Sequence, residues 1–234
     1  MATYKDIHGF KIQNVSSDPP TSVAGDMWYN SPSGNLKVNL GTPVGAWSTG
    51  GAMNTGRYAL GSAGTQTAAL AFGGLPGSGQ TETETYNGSS WTEVNDLNTA
   101  RGYLGGAGTQ TAALAIGGGV PGQAIVESWN GSNWTEVNNM NTTRRSIGGL
   151  GTSTSALAVG GDESPSARSA KNEEWNGVSF VELADLSAAR EFAGASGTTT
   201  AGLAGAGRNP PTSSLSSTEE WSGSTNTTKT ITTD

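Results

Sequence analysis

The chain has 234 residues, 36 of them glycine and none cysteine, and only 33% are hydrophobic and 13% charged. Such a mixture suits short strands joined by tight turns, because Gly and Asn tolerate positive φ and Thr is β-branched, while seven Trp argue against a disordered chain. A net charge of −7 disfavours a nucleic-acid partner, and the lack of Cys excludes disulfides, thiolate nucleophiles and Cys-ligated zinc.

In chain order, the opening MATYKDIHGF shows no basic segment followed by an apolar run, so no secretory signal is predicted. No stretch approaches the roughly 18 apolar residues of a membrane span, so none is predicted. Residues 1–45 form a segment of their own, with the lone His8, the Asp18-Pro19-Pro20 break and a predicted hairpin from Trp28-Tyr29-Asn30 to Leu36–Val38. Residues 46–234 are repetitive. They open with Ala46 to Arg57, AWSTGGAMNTGR, which matches SNWTEVNNMNTTR at 132–144 and predicts a fourth strand leading into a first.

The repeat is seen by aligning Arg57, Arg101, Arg144 and Arg190, at intervals of 44, 43 and 46 residues. Each is followed seven residues later by Gly-Thr (Gly64, Gly108, Gly151 and Gly197), then by AALAFGG, AALAIGG, SALAVGG and the degraded AGLAGAG. After a loop of variable length comes an aromatic two residues before a glycine: Tyr86, Trp129, Trp175 and Trp221. Five residues further stands a second aromatic, Trp91, Trp134 or Phe180, which the last copy replaces with Asn226. Asn-Gly between two strand-like runs signals a hairpin with a type I′ turn. Each unit is therefore predicted as a strand from the Arg, an ALA strand, a loop, a third strand, an Asn-Gly hairpin and a fourth strand. Four short strands per unit make a propeller blade, and no unit buries its apolar face alone. The tail STNTTKTITTD is a second candidate for a closing fourth strand, and the upstream hairpin for part of a fifth blade.

The double glycine, the aromatic pair and the recurring arginine resemble kelch repeats over about residues 47–223, with a shorter aromatic spacing and fewer copies than is common in that family. The resemblance implies an all-β, kelch-like β-propeller of four to five four-stranded blades behind an N-terminal hairpin segment. The run from Lys11 to Gly74, where GDMWYNS precedes GTQTAALAFGG, also resembles tail-fibre and other structural proteins of marine bacteriophages. That likeness implies a virion component: tail fibre, tail tip or capsid surface. Its N-terminal segment would bind other virion proteins, its propeller would contact a host surface glycan, and it would be a homo-oligomer within the particle.

No catalytic constellation is evident, and no cofactor or metal is expected. A copper radical oxidase needs Cys and two His, whereas this chain has no Cys and one His. No Asp-box of a sialidase occurs, and His8 lies in the segment least like the repeat. The Gly-rich stretches lack the Gly-Lys-Ser/Thr of a phosphate loop. Acid pairs such as Glu82/Glu84, Glu173/Glu174 and Glu219/Glu220 are expected on a solvated outer edge rather than in a glycosidase site. The repeated arginines are expected to bind backbone carbonyls or a neighbouring blade's acid. Repeated Trp residues are expected to pack between blades. What differs between repeats is the loop after each double glycine, at 75–83, 119–124, 162–172 and 208–218. Insertions in repeat proteins fall on one face, often the binding face, so Gln80, Gln123, Asp162, Arg168, Arg208 and Asn209 are the candidate ligand contacts.

Overall fold

A computed structural model describes residues 12–20, 26–39, 47–77, 79–163, 167–209 and 213–223. The chain divides into two compact units, Met1–Thr49 and Gly50–Asp234. The described regular structure is entirely β, and no described helix is long and apolar enough to cross a membrane.

In the first unit, β1 (Gln13–Val15) runs parallel to β2 (Met27–Asn30), which pairs antiparallel with β3 (Asn35–Val38). The expected hairpin is present. Asp18 ties it together: its carboxylate accepts from Trp28 Nε1 at 3.0 Å and Asn30 Nδ2 at 2.8 Å, and pairs with Lys37 Nζ at 2.6 Å. The hydrogen bond from Lys37, then those from Trp28 and Asn30, lower the Asp18 pKa to about 2. His8 lies outside the described residues.

The second unit contains successive antiparallel sheets, one per repeat. The first orders β4 (Gly61–Thr65), β5 (Ala68–Phe72), β6 (Thr83–Tyr86) and β7 (Trp91–Val94) side by side. The second does the same with β8 (Gly105–Gly108), β9 (Ala113–Ile116), β10 (Val126–Trp129) and β11 (Trp134–Val137). In the third, β12 (Gly148–Gly151) and β13 (Ala156–Val159) are followed by a small hairpin, β14 (Asp162–Glu163) with β15 (Ala167–Arg168), before β16 (Asn172–Trp175) and β17 (Phe180–Glu182). The fourth has β18 (Gly194–Thr198), β19 (Ala201–Gly205), a hairpin of β20 (Arg208–Asn209) and β21 (Ser213–Ser214), then β22 (Thr218–Trp221). The tail proposed as its fourth strand, from Ser224 on, lies outside the described residues.

Three expectations are corrected. The first strand of each unit starts four residues after the arginine, at Gly61, Gly105, Gly148 and Gly194. The residue two after each arginine has positive φ: Ala59 (53°), Tyr103 (59°), Ser146 (55°) and Phe192 (55°), a conformation that ends extended pairing. The Asn-Gly connections are four-residue loops and not type I′ turns. In the first sheet Tyr86 pairs with Trp91, Gly88 alone has positive φ, and Asn87 Oδ1 accepts from the Ser89 and Ser90 amides at 3.0 and 2.9 Å. The described part of the entry segment, 47–57, forms no ladder, and Trp47 is exposed. Its Gly50-Gly51-Ala52 run has almost no side chain to pack beside a strand.

Neighbouring sheets stack through three apolar clusters among the described residues. Leu70 and Phe72 meet Ala113, Ala115, Trp129 and Trp134. Leu114, Ile116 and Val126 meet Ala156, Ala158, Trp175 and Phe180. Leu150, Leu157 and Val159 meet Ala204 and Trp221. Successive side chains of a strand point to opposite faces, so β9 and β13 are buried along their whole length because a sheet covers each face. The first strands lie beside one another, β4 by β8, β8 by β12 and β12 by β18. A cavity of about 540 Å³ runs between them, lined mostly by small residues with Gln66 and Leu150, and with no titratable side chain among the lining residues. In the second and third units the repeated aromatics pack between sheets as expected: the rings of Trp129 and Trp134 lie 5.3 Å apart and those of Trp175 and Phe180 5.2 Å, at the sheet-to-sheet contact, whereas Tyr86 and Trp91 of the first unit meet each other outside the three clusters.

Candidate ligand site on the loop face

The repeated charges come first, since they show which groups the fold consumes. The side chains of Arg57, Arg101, Arg144 and Arg190 are all fully buried. One terminal nitrogen of each donates to backbone carbonyls: Arg101 to Gly117 and Ile125, both at 2.8 Å, and Arg144 to Gly160 and Lys171 at 2.7 and 2.8 Å. The other pairs with an acid of the third strand in the same unit, Arg57 with Glu84 (3.0 Å), Arg101 with Glu127 (2.8 Å), Arg144 with Glu173 (2.8 Å) and Arg190 with Glu219 (2.6 Å). Burial lowers the pKa of Arg101 and Arg144, opposed by the carboxylates of Glu127 and Glu173.

The second carboxylate oxygen then accepts the amide of Asn54, Asn98, Asn141 or Ser187, at 2.7–2.8 Å, in the segment that enters the unit. Each Arg–Glu pair is a strut that fastens the entering segment to the third strand. The expectation of a solvated edge is therefore corrected for Glu84 and Glu173, which, like Glu127 at the same position of the second unit, are almost wholly buried because the guanidinium needs a counter-charge inside the sheet. The expectation of a neighbouring blade's acid is corrected too, since the acid comes from the arginine's own unit. The carbonyl contacts are as expected.

The loop face is built differently. The left-handed residues are hydrogen-bonded in sequence across the sheets: Tyr103 N donates to Ala59 O (2.7 Å), Ser146 N to Tyr103 O (2.8 Å) and Phe192 N to Ser146 O (2.9 Å). Beside this row, the residue after each arginine faces the residue after each double glycine. Tyr58 bridges Leu75, Gly119 N donates to Gly102 O, Arg145 bridges Asp162, and Glu191 bridges Arg208. All four unequal loops thus start at one equivalent position.

In the third and fourth units these positions carry charge. Arg145 holds Asp162 Oδ2 through Nε at 2.9 Å and through Nη2 at 2.8 Å. Arg168, from β15, reaches Asp162 Oδ1 at 3.2 Å and Glu191 Oε1 at 3.0 Å. Arg208 Nε pairs with the same Glu191 oxygen. The guanidinium carbons of Arg145 and Arg208 lie 5.8 and 5.4 Å from the ring centres of Tyr103 and Phe192, and those rings meet edge to face at 5.8 Å. Together with Ser146 these groups line a pocket of about 170 Å³.

Of the six candidate contacts, Asp162, Arg168 and Arg208 converge on this pocket. Gln80 and Gln123 do not. Their backbones close the loops instead, each amide donating to Gly74 O or Gly118 O and each carbonyl accepting from Arg101 N or Arg144 N. Asn209 pairs with Ser213 in the β20–β21 hairpin and is not a lining residue. The sequence reading missed Tyr103, Arg145, Ser146, Glu191 and Phe192. Their signal was available in the two columns after the repeated arginine, where the copies read Tyr-Ala, Gly-Tyr, Arg-Ser and Glu-Phe. Compared with family models and with curated proteins, the chain matches none.

Proposed function

We propose that the chain is a non-enzymatic structural component of a bacteriophage particle, a kelch-like propeller whose sheets are its blades. Its N-terminal unit attaches it to other virion proteins, and its loop face is displayed toward a host surface glycan. The observation that carries this reading is the division of labour among charged residues. Every repeated arginine is buried and consumed in a strut with an acid of its own unit, and charged groups that differ between repeats gather on one loop face. Scaffold and contact surface are thereby separated, as a display protein requires. The sequence likeness of the GDMWYNS hairpin and the repeat phrase to phage structural proteins supports the particle setting.

Mass spectrometry of purified, intact particles tests it. Peptides from both units are expected at a stoichiometry fixed relative to the major structural proteins, and their absence from intact particles would overturn the reading.

A further inference from the structure

The charged pairs of the loop face are not needed to hold the backbone. The same cross-strand position is filled by Tyr58 and Leu75 in the first unit and by two glycines in the second, and the backbone contact forms in each. Only the third and fourth units place ion pairs there, with opposite order along the chain: Arg145 with Asp162, then Glu191 with Arg208. Arg168 joins the two pairs.

The resulting pocket has three guanidinium groups against two carboxylates, a formal excess of one positive charge in a chain of net charge −7. Asp162 and Glu191 are 1% and 2% exposed, and each is held between two arginines, so they neutralise charge where it is already buried. The excess lies outward. The Arg208 side chain is 55% exposed, lines the pocket and meets Glu191 through Nε, so its terminal nitrogens are not the atoms used in that pair. A guanidinium in that attitude suits a planar or tetrahedral oxyanion.

The remaining chemistry narrows the ligand. Phe192 is 48% exposed and lines the pocket, with the Arg208 guanidinium 5.4 Å from its ring centre, so an apolar ring stands beside the cation. Ser146, a lining residue, offers a hydroxyl beside donors from the arginines. A pocket of about 170 Å³ is smaller than those that hold drug-sized ligands, and takes one ring. A ring with one negative charge, several hydroxyls that both donate and accept, and a C–H face is an acidic sugar.

We propose that this pocket binds a single acidic sugar residue, its carboxylate or sulfate ester held by Arg208 and Arg145 and its C–H face laid on Phe192. The proposal deepens the glycan contact of the reading above and rests on it.

Calorimetric titration of the full chain with oligoglucuronate, a sulfated galactan oligosaccharide and neutral oligosaccharides of equal length tests it. Binding is expected for at least one acidic probe, and the two acidic arms distinguish carboxylate from sulfate. Arg208→Gln is expected to weaken that binding about tenfold or more in a protein that still folds, because Glu191 keeps its pairing with Arg168; a melting curve that stays cooperative checks this. Phe192→Ala is expected to weaken it independently. Equal binding of the neutral probes, unaltered affinity in Arg208→Gln, or no binding of either acidic probe overturns the proposal. If the chain is present in particles but binds neither acidic probe, the pocket assignment falls and the virion reading stands. Binding by a chain absent from particles has the converse meaning.

Discussion

A guanidinium with no exposed surface needs its charge and most of its donors met: the terminal nitrogens of Arg101 meet two carbonyls and one carboxylate, all at 2.8 Å, and only the buried Nε has no partner. Removing one partner of such a pair leaves an uncompensated buried charge. Glu127→Gln is therefore expected to destabilise the second unit by about 3 kcal/mol or more, lowering Tm by roughly 6–12 °C in thermal unfolding followed by circular dichroism. Replacing both partners, as in Arg101→Met with Glu127→Leu, is expected to recover much of that loss.

Asp18 provides the contrasting case at the surface. Its pKa is depressed to about 2 from an ordinary value of 3.8, so its contribution is present above about pH 4 and is lost as pH falls through about 2. The Trp28 indole N–H resonance is expected to move across that window, and to lose the transition in Asp18→Asn. A Trp28 signal indifferent to pH from 5 to 2 would contradict this account.

At the scale of the element, the inner strands are short and glycine-rich because their backbones nearly touch. A Cβ on Gly149 would meet the backbone of Gly106, and one on Gly106 would meet that of Ser62, so neither neighbour yields by a rotamer change. Gly149→Val is expected to cost about 1–3 kcal/mol by overpacking. Gly56, with open space at its Cβ and no positive φ, is the control: Gly56→Ala is expected to stay within about 0.5 kcal/mol. Denaturant midpoints of the two variants measure the difference. The left-handed row belongs to this scale as well. Tyr103, Ser146 and Phe192 adopt a conformation costing about 1–2 kcal/mol for a residue with a Cβ, and each amide donates to the equivalent carbonyl of the preceding unit in return.

For the second unit taken whole, each sheet is covered by its neighbours and not by itself. Stability of such an array is approximately a sum of unit terms and nearest-neighbour contacts. Deleting residues 190–234 removes the sheet that covers Leu150, Leu157 and Val159. The shortened protein is expected to bind an apolar dye and to self-associate in size-exclusion chromatography, while the contacts around Trp129 and Trp134 persist. Loss of all structure on that deletion would show that the sheets fold only as one cooperative body.

Periodicity alone determined that the described regular structure is all-β, that its strands recur near Gly-Thr, ALA and Asn-Gly, and that the four repeated arginines and the repeated Trp residues belong to the scaffold. Those features are local, and a strand's alternation or a hairpin's Asn-Gly is written within a few residues. The starting point of each first strand was less legible, because the left-handed residue after Arg57, Arg101, Arg144 and Arg190 is imposed by hydrogen bonds from the adjacent unit. The burial of Glu84, Glu127 and Glu173 was hidden for the same reason: a carboxylate's environment depends on what another segment lays over it. Only tertiary structure brought Tyr103, Arg145, Arg168, Glu191 and Arg208 to one pocket, since they come from three units spread over more than a hundred residues. A periodic frame brings equivalent positions of successive units side by side, and the pocket forms in the few columns where the copies disagree.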